Sequence, residues 1–238
     1  MQKLSVNQPK IRLNVLIACE ESQAECAAFR ALGHNAFSCD IQPCLRKGHP
    51  EWHILGDVTP YLKGEGAFTT MDGSFHEVPL WDLIIAHPPC TYLCKVGSIH
   101  LYKNPDFYIK RDGEFIQVNY DRLKKMKKAR LFFLQCLSAK AKYVAVENPC
   151  PMRLANLPPA SFFACPSWYG SKYTKKTYYW AKNLPPLFAQ IINPKAKCLV
   201  HSTSGKYRSR TDKGLAKAIA TQWSNFIIND KTLNHGKN

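Results

Sequence analysis

The stretch Trp81 to Cys94, WDLIIAHPPCTYLC, limits what this chain can become more than any other. Leu83 to Ala86 is an uninterrupted apolar run behind the carboxylate of Asp82, the pattern of a strand buried on both faces of a parallel sheet. Pro88 and Pro89 then remove two backbone donors and fix φ, so the strand stops and the chain turns. In open α/β sheets ligands lie beyond the carboxyl ends of the strands, which aims the thiol of Cys90 at a crevice. An arbitrary cysteine is most often a small buried hydrophobe. Of the ten cysteines here, Cys90 is set apart by the rigid Pro-Pro before it.

The sequence before this strand reads as strand, turn and helix. Asn14 to Cys19 is a first buried strand, Ser22 to Leu32 an alanine-rich helix with Ser22 as its N-cap and Gly33 as its end. Asn35 to Cys39 is a second strand leading into Asp40. That acid follows the first turn by about twenty residues, the spacing at which nucleotide-binding α/β folds place a carboxylate on ribose hydroxyls. His53 to Val58 reads as a third strand edge carrying Asp57, and Gly64 to Gly73 as a glycine-spotted loop.

After Cys94, residues 97–118 mix aromatics, charges and turn formers without a period, which suits a lid, a substrate-contacting loop or an ordinary surface insertion. Tyr120 to Lys140 turns helical, with Leu123, Met126, Phe133, Leu134 and Leu137 on one face and Lys124, Lys125, Lys127 and Lys128 on the other. Tyr143 to Val146 is a further buried strand, and it delivers Glu147-Asn148-Pro149 to the same sheet edge as Cys90.

A chain of 238 residues with 45% hydrophobic content suits one core, so a single domain over 1–238 is expected, with residues 1–10 as a polar tail. Lys and Arg total 33 against 17 acids, a net +16 that points to a polyanionic partner, nucleic acid first, with a merely solvated basic surface as the alternative. The N-terminal residues show no apolar signal core and no run reaches membrane-spanning length, so reduced thiols in a cytoplasm are expected. The cysteines do not pair as CxxC and lack histidines at finger-like distances; no metal is expected.

Taken in order, LIACEESQAECAAFRALGH with the following CDI, then HPPC, VENP, a Tyr169-Gly170 turn followed by YTKKTYYW, and RSRTDKGLAKAIATQW resemble the motifs of cytosine-5 DNA methyltransferases. The likeness runs from Val15 to Trp223 and is greatest to the short versions carried by bacteriophages, which would place the protein in a bacterial host. It implies an α/β, Rossmann-like methyltransferase fold, a mostly parallel sheet flanked by helices, using S-adenosyl-L-methionine. By the same resemblance Cys90 is the thiolate that adds to carbon 6 of cytosine, Glu147 holds ring nitrogen 3 and the exocyclic amine, and Lys175 polarises the carbonyl. The cofactor is expected against Cys19, Glu20, Glu21, Ser22, Asp40, Ile41, Asp57, Val58, His87 and Pro88. Carbon 6 is unreachable inside a duplex, so the cytosine of a DNA partner is expected to be flipped out or single-stranded.

Three departures accompany the resemblance. The first turn carries Cys19-Glu20-Glu21-Ser22-Gln23 where the family has glycines, which let backbone approach a ligand closely. Lys175 and Thr177 stand where it has arginines, and lysine lacks arginine's bidentate fork; Arg208 and Arg210 are candidates to compensate. The target-recognition region, within 150–205, is much reduced, so a short or relaxed target site is expected. Methylation of a free cytosine nucleotide, methylation of an exocyclic amine, and a basic nucleic-acid-binding module without chemistry are the alternatives.

Overall fold

Alternation of side chains decides which face of the central sheet each residue serves. In β1 (Asn14–Ala18), Val15 and Ile17 enter one core while Leu16 and Ala18 enter the other, all without solvent exposure. A strand with no polar face is stable only between two covered layers. The computed structural model describes residues 11–198 and 210–235, and in it β1 lies inside a seven-stranded sheet.

That sheet also contains β2 (Asn35–Asp40), β3 (His53–Leu55), β6 (Leu83–Ala86), β9 (Tyr143–Pro149), β10 (Phe162–Ala164) and β12 (Thr177–Lys182). The spatial order is β10-β12-β9-β6-β1-β2-β3. β3, β2, β1, β6 and β9 run parallel, β12 is antiparallel to β9, and β10 is antiparallel to β12. This is the α/β, mostly parallel sheet expected from the sequence, with β6 paired on both sides. From β1 the chain builds outward to β2 and β3, then returns to place β6 and β9 on β1's other side. The order reverses between β1 and β6, and a crevice opens at the carboxyl ends of strands at such a point.

Helices α1 (Ala24–Ala31) and α4 (Lys213–His235) cover one face through Cys26, Phe29, Leu215, Ile219 and Trp223. The other face is covered by α3 (Tyr120–Leu137), whose Leu123, Met126 and Phe133 are buried as the periodicity predicts; Lys124, Lys125, Lys127 and Lys128 are exposed. Asn119 caps α3, its side-chain oxygen accepting from the Arg122 N–H at 2.9 Å.

Several sequence expectations need correction. Ser22 is not the N-cap of α1: that position is Gln23, with φ 57° and no side-chain capping bond. The first-turn donors are met instead by Glu20, whose two carboxylate oxygens accept from the N–H groups of Glu25 at 2.8 Å and Cys26 at 3.2 Å. The supposed loop Gly64 to Gly73 holds half of a hairpin, β4 (Ala67–Thr69) with β5 (Phe75–Glu77), preceded by the single turn α2 (Thr59–Leu62). Its Phe68 stacks on Trp81 at 5.8 Å between ring centres, an aromatic anchor that outweighs the poor local strand signal. Residues 97–118, whose role as lid, substrate loop or insertion stays open, hold the end of a 3-10 stretch over Lys95–His100 and a second hairpin, β7 (Phe107–Arg111) with β8 (Glu114–Val118). Within 150–205, β10 and β12 belong to the central sheet, while β11 (Tyr173–Thr174) and β13 (Lys197–Cys198) form a small separate pair. The expected polar tail 1–10 and Arg208 lie outside the described residues.

Candidate active site

At the point where the strand order reverses, a cavity of about 1090 Å³ runs along the carboxyl ends of the strands, from Glu21 and Asp40 to Cys90 and Glu147. Its central residues are set by strand ends. The His87 N–H donates to the Ala18 carbonyl at 2.9 Å, continuing the β1–β6 ladder one residue past Ala86. Pro88 and Pro89 then break the ladder, and Cys90 opens a 3-10 turn to Tyr92. β9 pairs with β6 in register up to Val146, so Glu147 emerges beside His87. Cys90, Glu147 and Lys175, separated by 57 and 28 residues in the chain, all line this one cavity.

Cys90 shares a hydrogen bond with Cys94, which also lines the cavity. That bond, then burial and Glu147, raises the Cys90 thiol, against the pull of Lys175. Cys94 is the thiol held low, to about 6, chiefly by donation from Cys90 and also by backbone donors including Gly97 and Val96. Arg122 braces this turn: its guanidinium donates to the Thr91 carbonyl at 2.5 Å and lies over the Tyr92 ring, 4.4 Å from its centre.

Glu147 is nearly enclosed, its side chain 13% exposed. Burial favours its neutral form, but Lys175 and then the hydrogen bond from His87 prevail and hold the carboxyl below its ordinary range. Oε2 contacts His87 Nδ1 at 3.3 Å, while Oε1 is buried with no protein partner. A buried carboxylate oxygen without a donor is rare and marks where a ligand's N–H would fit. On the other side of the ring, His87 Nε2 lies 3.1 Å from Oε1 of Glu25, an ionic contact off the ideal hydrogen-bond angle.

The residues expected around a cofactor divide into two groups. Cys19, Glu20, Glu21, Ser22, Asp40, His87 and Pro88 line the cavity; Ile41, Asp57 and Val58 do not. Ile41 is 73% exposed, and Val58 is buried in the core. Asp57 turns its carboxylate onto Thr59, accepting from the N–H at 2.9 Å and the hydroxyl at 2.7 Å. Glu20 borders the cavity, yet both its oxygens serve α1; burial and then Glu25 push it up to about 8. The glycine-poor turn keeps a glycine-like course, since Cys19 adopts φ 60° and Gln23 φ 57°. An S-adenosyl-L-methionine would fit this end on the chemistry of its donors: Asp40 for ribose hydroxyls and Glu21 for a cationic amino or sulfonium group.

Three features of the site were missed from the sequence. Glu25 lies four residues before the buried Phe29, so an acid on the core face of α1 was the available signal. Cys94 and Arg122 act through a turn whose shape no periodicity reports. Among the described residues no cluster of His, Cys, Asp or Glu suits a metal ion, and no helix is long and apolar enough to cross a membrane.

No family model matches the chain, nor does any curated protein. Among solved structures it is similar to one described as a "putative DNA modification methyltransferase encoded within prophage Cp-" from E. coli, with 14% identity and a TM-score of 0.42. The match covers 76% of this chain and 52% of the other, so the chain spans about half the length of that structure.

Proposed function

We propose that this protein is a DNA cytosine-5 methyltransferase that uses S-adenosyl-L-methionine and recognises a short or relaxed target. The observation that carries the reading is the convergence of Cys90 and Glu147 at the ends of β6 and β9, one offering sulfur and the other a buried, unpartnered carboxylate oxygen. Carbon 5 of cytosine is a poor nucleophile until carbon 6 is attacked. Cys90, as the thiolate, supplies that attack. Glu147 holds nitrogen 3 and the exocyclic amine, and Lys175 stabilises the charge that develops on the carbonyl. The cofactor supplies the electrophilic methyl group. The net charge of +16 supports a polyanionic substrate. Residues 150–198 give β10 and β12 to the central sheet, and the stretches around those strands form only three-residue 3-10 turns and the two-residue strands β11 and β13, which supports a target read through few base contacts.

The test is covalent capture. With cofactor present, a duplex containing 5-fluorocytosine traps the wild-type protein as an adduct at Cys90, because fluorine cannot leave as a proton does. Cys90→Ser gives no turnover and no adduct. Substantial methylation by Cys90→Ala would remove Cys90 from the chemistry.

A further inference from the structure

Behind Glu147 stands a buried line of carboxylate, imidazole and carboxylate assembled from three elements. Glu25 comes from α1, His87 from the end of β6 and Glu147 from β9, with side-chain exposures of 0%, 11% and 13%. Both ring nitrogens face acceptors: Nε2 lies 3.1 Å from Glu25 and Nδ1 3.3 Å from Glu147. A neutral imidazole has one N–H and one lone pair, so in this setting one carboxylate would face a lone pair; the imidazolium has two donors and satisfies both. A fully buried carboxylate such as Glu25 also needs a positive partner, and among the described residues its ion-pair contact is His87. Thr211, just before α4, fixes Glu25 by donating to Oε1 at 3.0 Å.

We propose that His87 is the proton reservoir for Glu147 and that Glu25 is the positioning residue that keeps the reservoir charged, an inference that rests on the cytosine-5 reading. As the Cys90 sulfur bonds to carbon 6, the carbon 5–carbon 6 π pair moves to carbon 4–carbon 5, and the carbon 4–nitrogen 3 π pair retreats onto nitrogen 3. The proton on Nδ1 of His87 passes to Oε2 of Glu147, otherwise a carboxylate, which hands it on to nitrogen 3 as that atom gains the electron pair. When carbon 5 uses its electron pair to take the methyl group, nitrogen 3 becomes strongly acidic and the proton returns by the same route. The line thus ends as it began; water then takes the carbon 5 proton, the bonding pair it leaves re-forms the carbon 5–carbon 6 π bond, and the Cys90 sulfur departs from carbon 6 as thiolate.

The groups acting on the ring are few. Glu25 and Glu147 favour the imidazolium and overcome its burial, so His87 titrates well above an ordinary histidine. Glu20, at the β1–α1 turn, interacts with both Glu25 and His87. Lys175 acts on Glu147 from the turn before β12, and buried Tyr179 of β12 lies within the field of both Glu25 and Glu147. Arg210, beside Thr211, also lines the cavity.

Two readouts test the proposal. The first needs no activity: nitrogen-15 NMR of histidine-labelled wild type, with His87 assigned by loss of its signals in His87→Gln. The ring is expected to remain doubly protonated at pH 8 in wild type and to lose the second proton in Glu25→Gln at lower pH. The second is the pH dependence of kcat for DNA methylation. Wild type is expected to hold its rate from pH 6 to 8, while Glu25→Gln falls about tenfold per pH unit above the lowered His87 pKa, with KM little changed. His87→Gln, which cannot supply a proton, is expected to be slow at every pH. A neutral His87 at pH 7 in wild type overturns the reservoir whatever the enzyme does and leaves the methyltransferase reading intact. An unmoved pH profile in Glu25→Gln overturns the role of Glu25. A charged His87 in a protein that forms no 5-methylcytosine would place the failure in the functional reading, and the relay falls with it.

Discussion

Glu20 and Ser22 make opposite claims on the first turn of α1, and a pair of alanine variants separates them. Two buried donors, the N–H groups of Glu25 and Cys26, end on Glu20 at 2.8 and 3.2 Å. In Glu20→Ala both lose their acceptor, and a buried donor left unmet costs about 1–3 kcal/mol. Water entering from the cavity recovers part of this, leaving a destabilisation of about 2–4 kcal/mol. Ser22 accepts from the Ala24 N–H at 3.4 Å and donates to Glu20 at 3.5 Å, both long contacts, so Ser22→Ala is expected to stay within about 0.5 kcal/mol of wild type. Equilibrium urea unfolding at pH 7 reads both. With a slope of roughly 2 kcal/mol/M the midpoint of Glu20→Ala drops by about 1–2 M. A Ser22→Ala loss equal to or larger than that of Glu20→Ala would refute the capping assignment and return Glu20 to the cofactor.

Other expectations follow from the same geometry. The Glu20 carboxyl is raised from 4.5 to about 8 on folding, so its contribution to stability is full below pH 4.5 and lost as pH rises through 8; the slope over that window should be weaker in Glu20→Gln. A Cβ at Gly97 would lie 2.5 Å from the Thr91 carbonyl oxygen, so Gly97→Ala must shift the turn that carries Cys90; kcat should fall at least tenfold with thermal stability changed far less. DNA binding by a chain of net charge +16 should weaken steeply with salt, log K falling linearly with log salt; a flat dependence in a filter-binding titration would contradict a phosphate-dominated interface.

Much of the framework was legible because burial on both faces writes a continuous apolar run. Leu83 to Ala86 and Tyr143 to Val146 are strands of the sheet, and the residues just past them, Cys90 and Glu147, meet at its edge. Helix α3 was readable from its period, although it ends at Leu137 and not at Lys140. The two hairpins were not, because their strands are short and pair locally, and Phe68 is held by aromatic contacts to Phe37 and Trp81 that lie far away in the chain. The α1 cap was misplaced because a serine before a helix is the usual local signal, whereas Glu20 reaches forward five residues from the strand end. Asp40 and Asp57 looked equivalent in sequence; only the three-dimensional course of the turn after β3 separates the one that borders the cavity from the one that holds Thr59. The pairing of Glu25 with His87 spans 62 residues, and no spacing rule encodes a contact between a helix and the end of a distant strand.

The most direct measurement is nucleoside mass spectrometry of DNA incubated with the protein and S-adenosyl-L-methionine carrying an isotope-labelled methyl group. The arrangement of Cys90 and Glu147 calls for the label in 5-methylcytosine, absent when Cys90→Ser is used. Label in N4-methylcytosine or N6-methyladenine, or in no nucleoside at all, would contradict it.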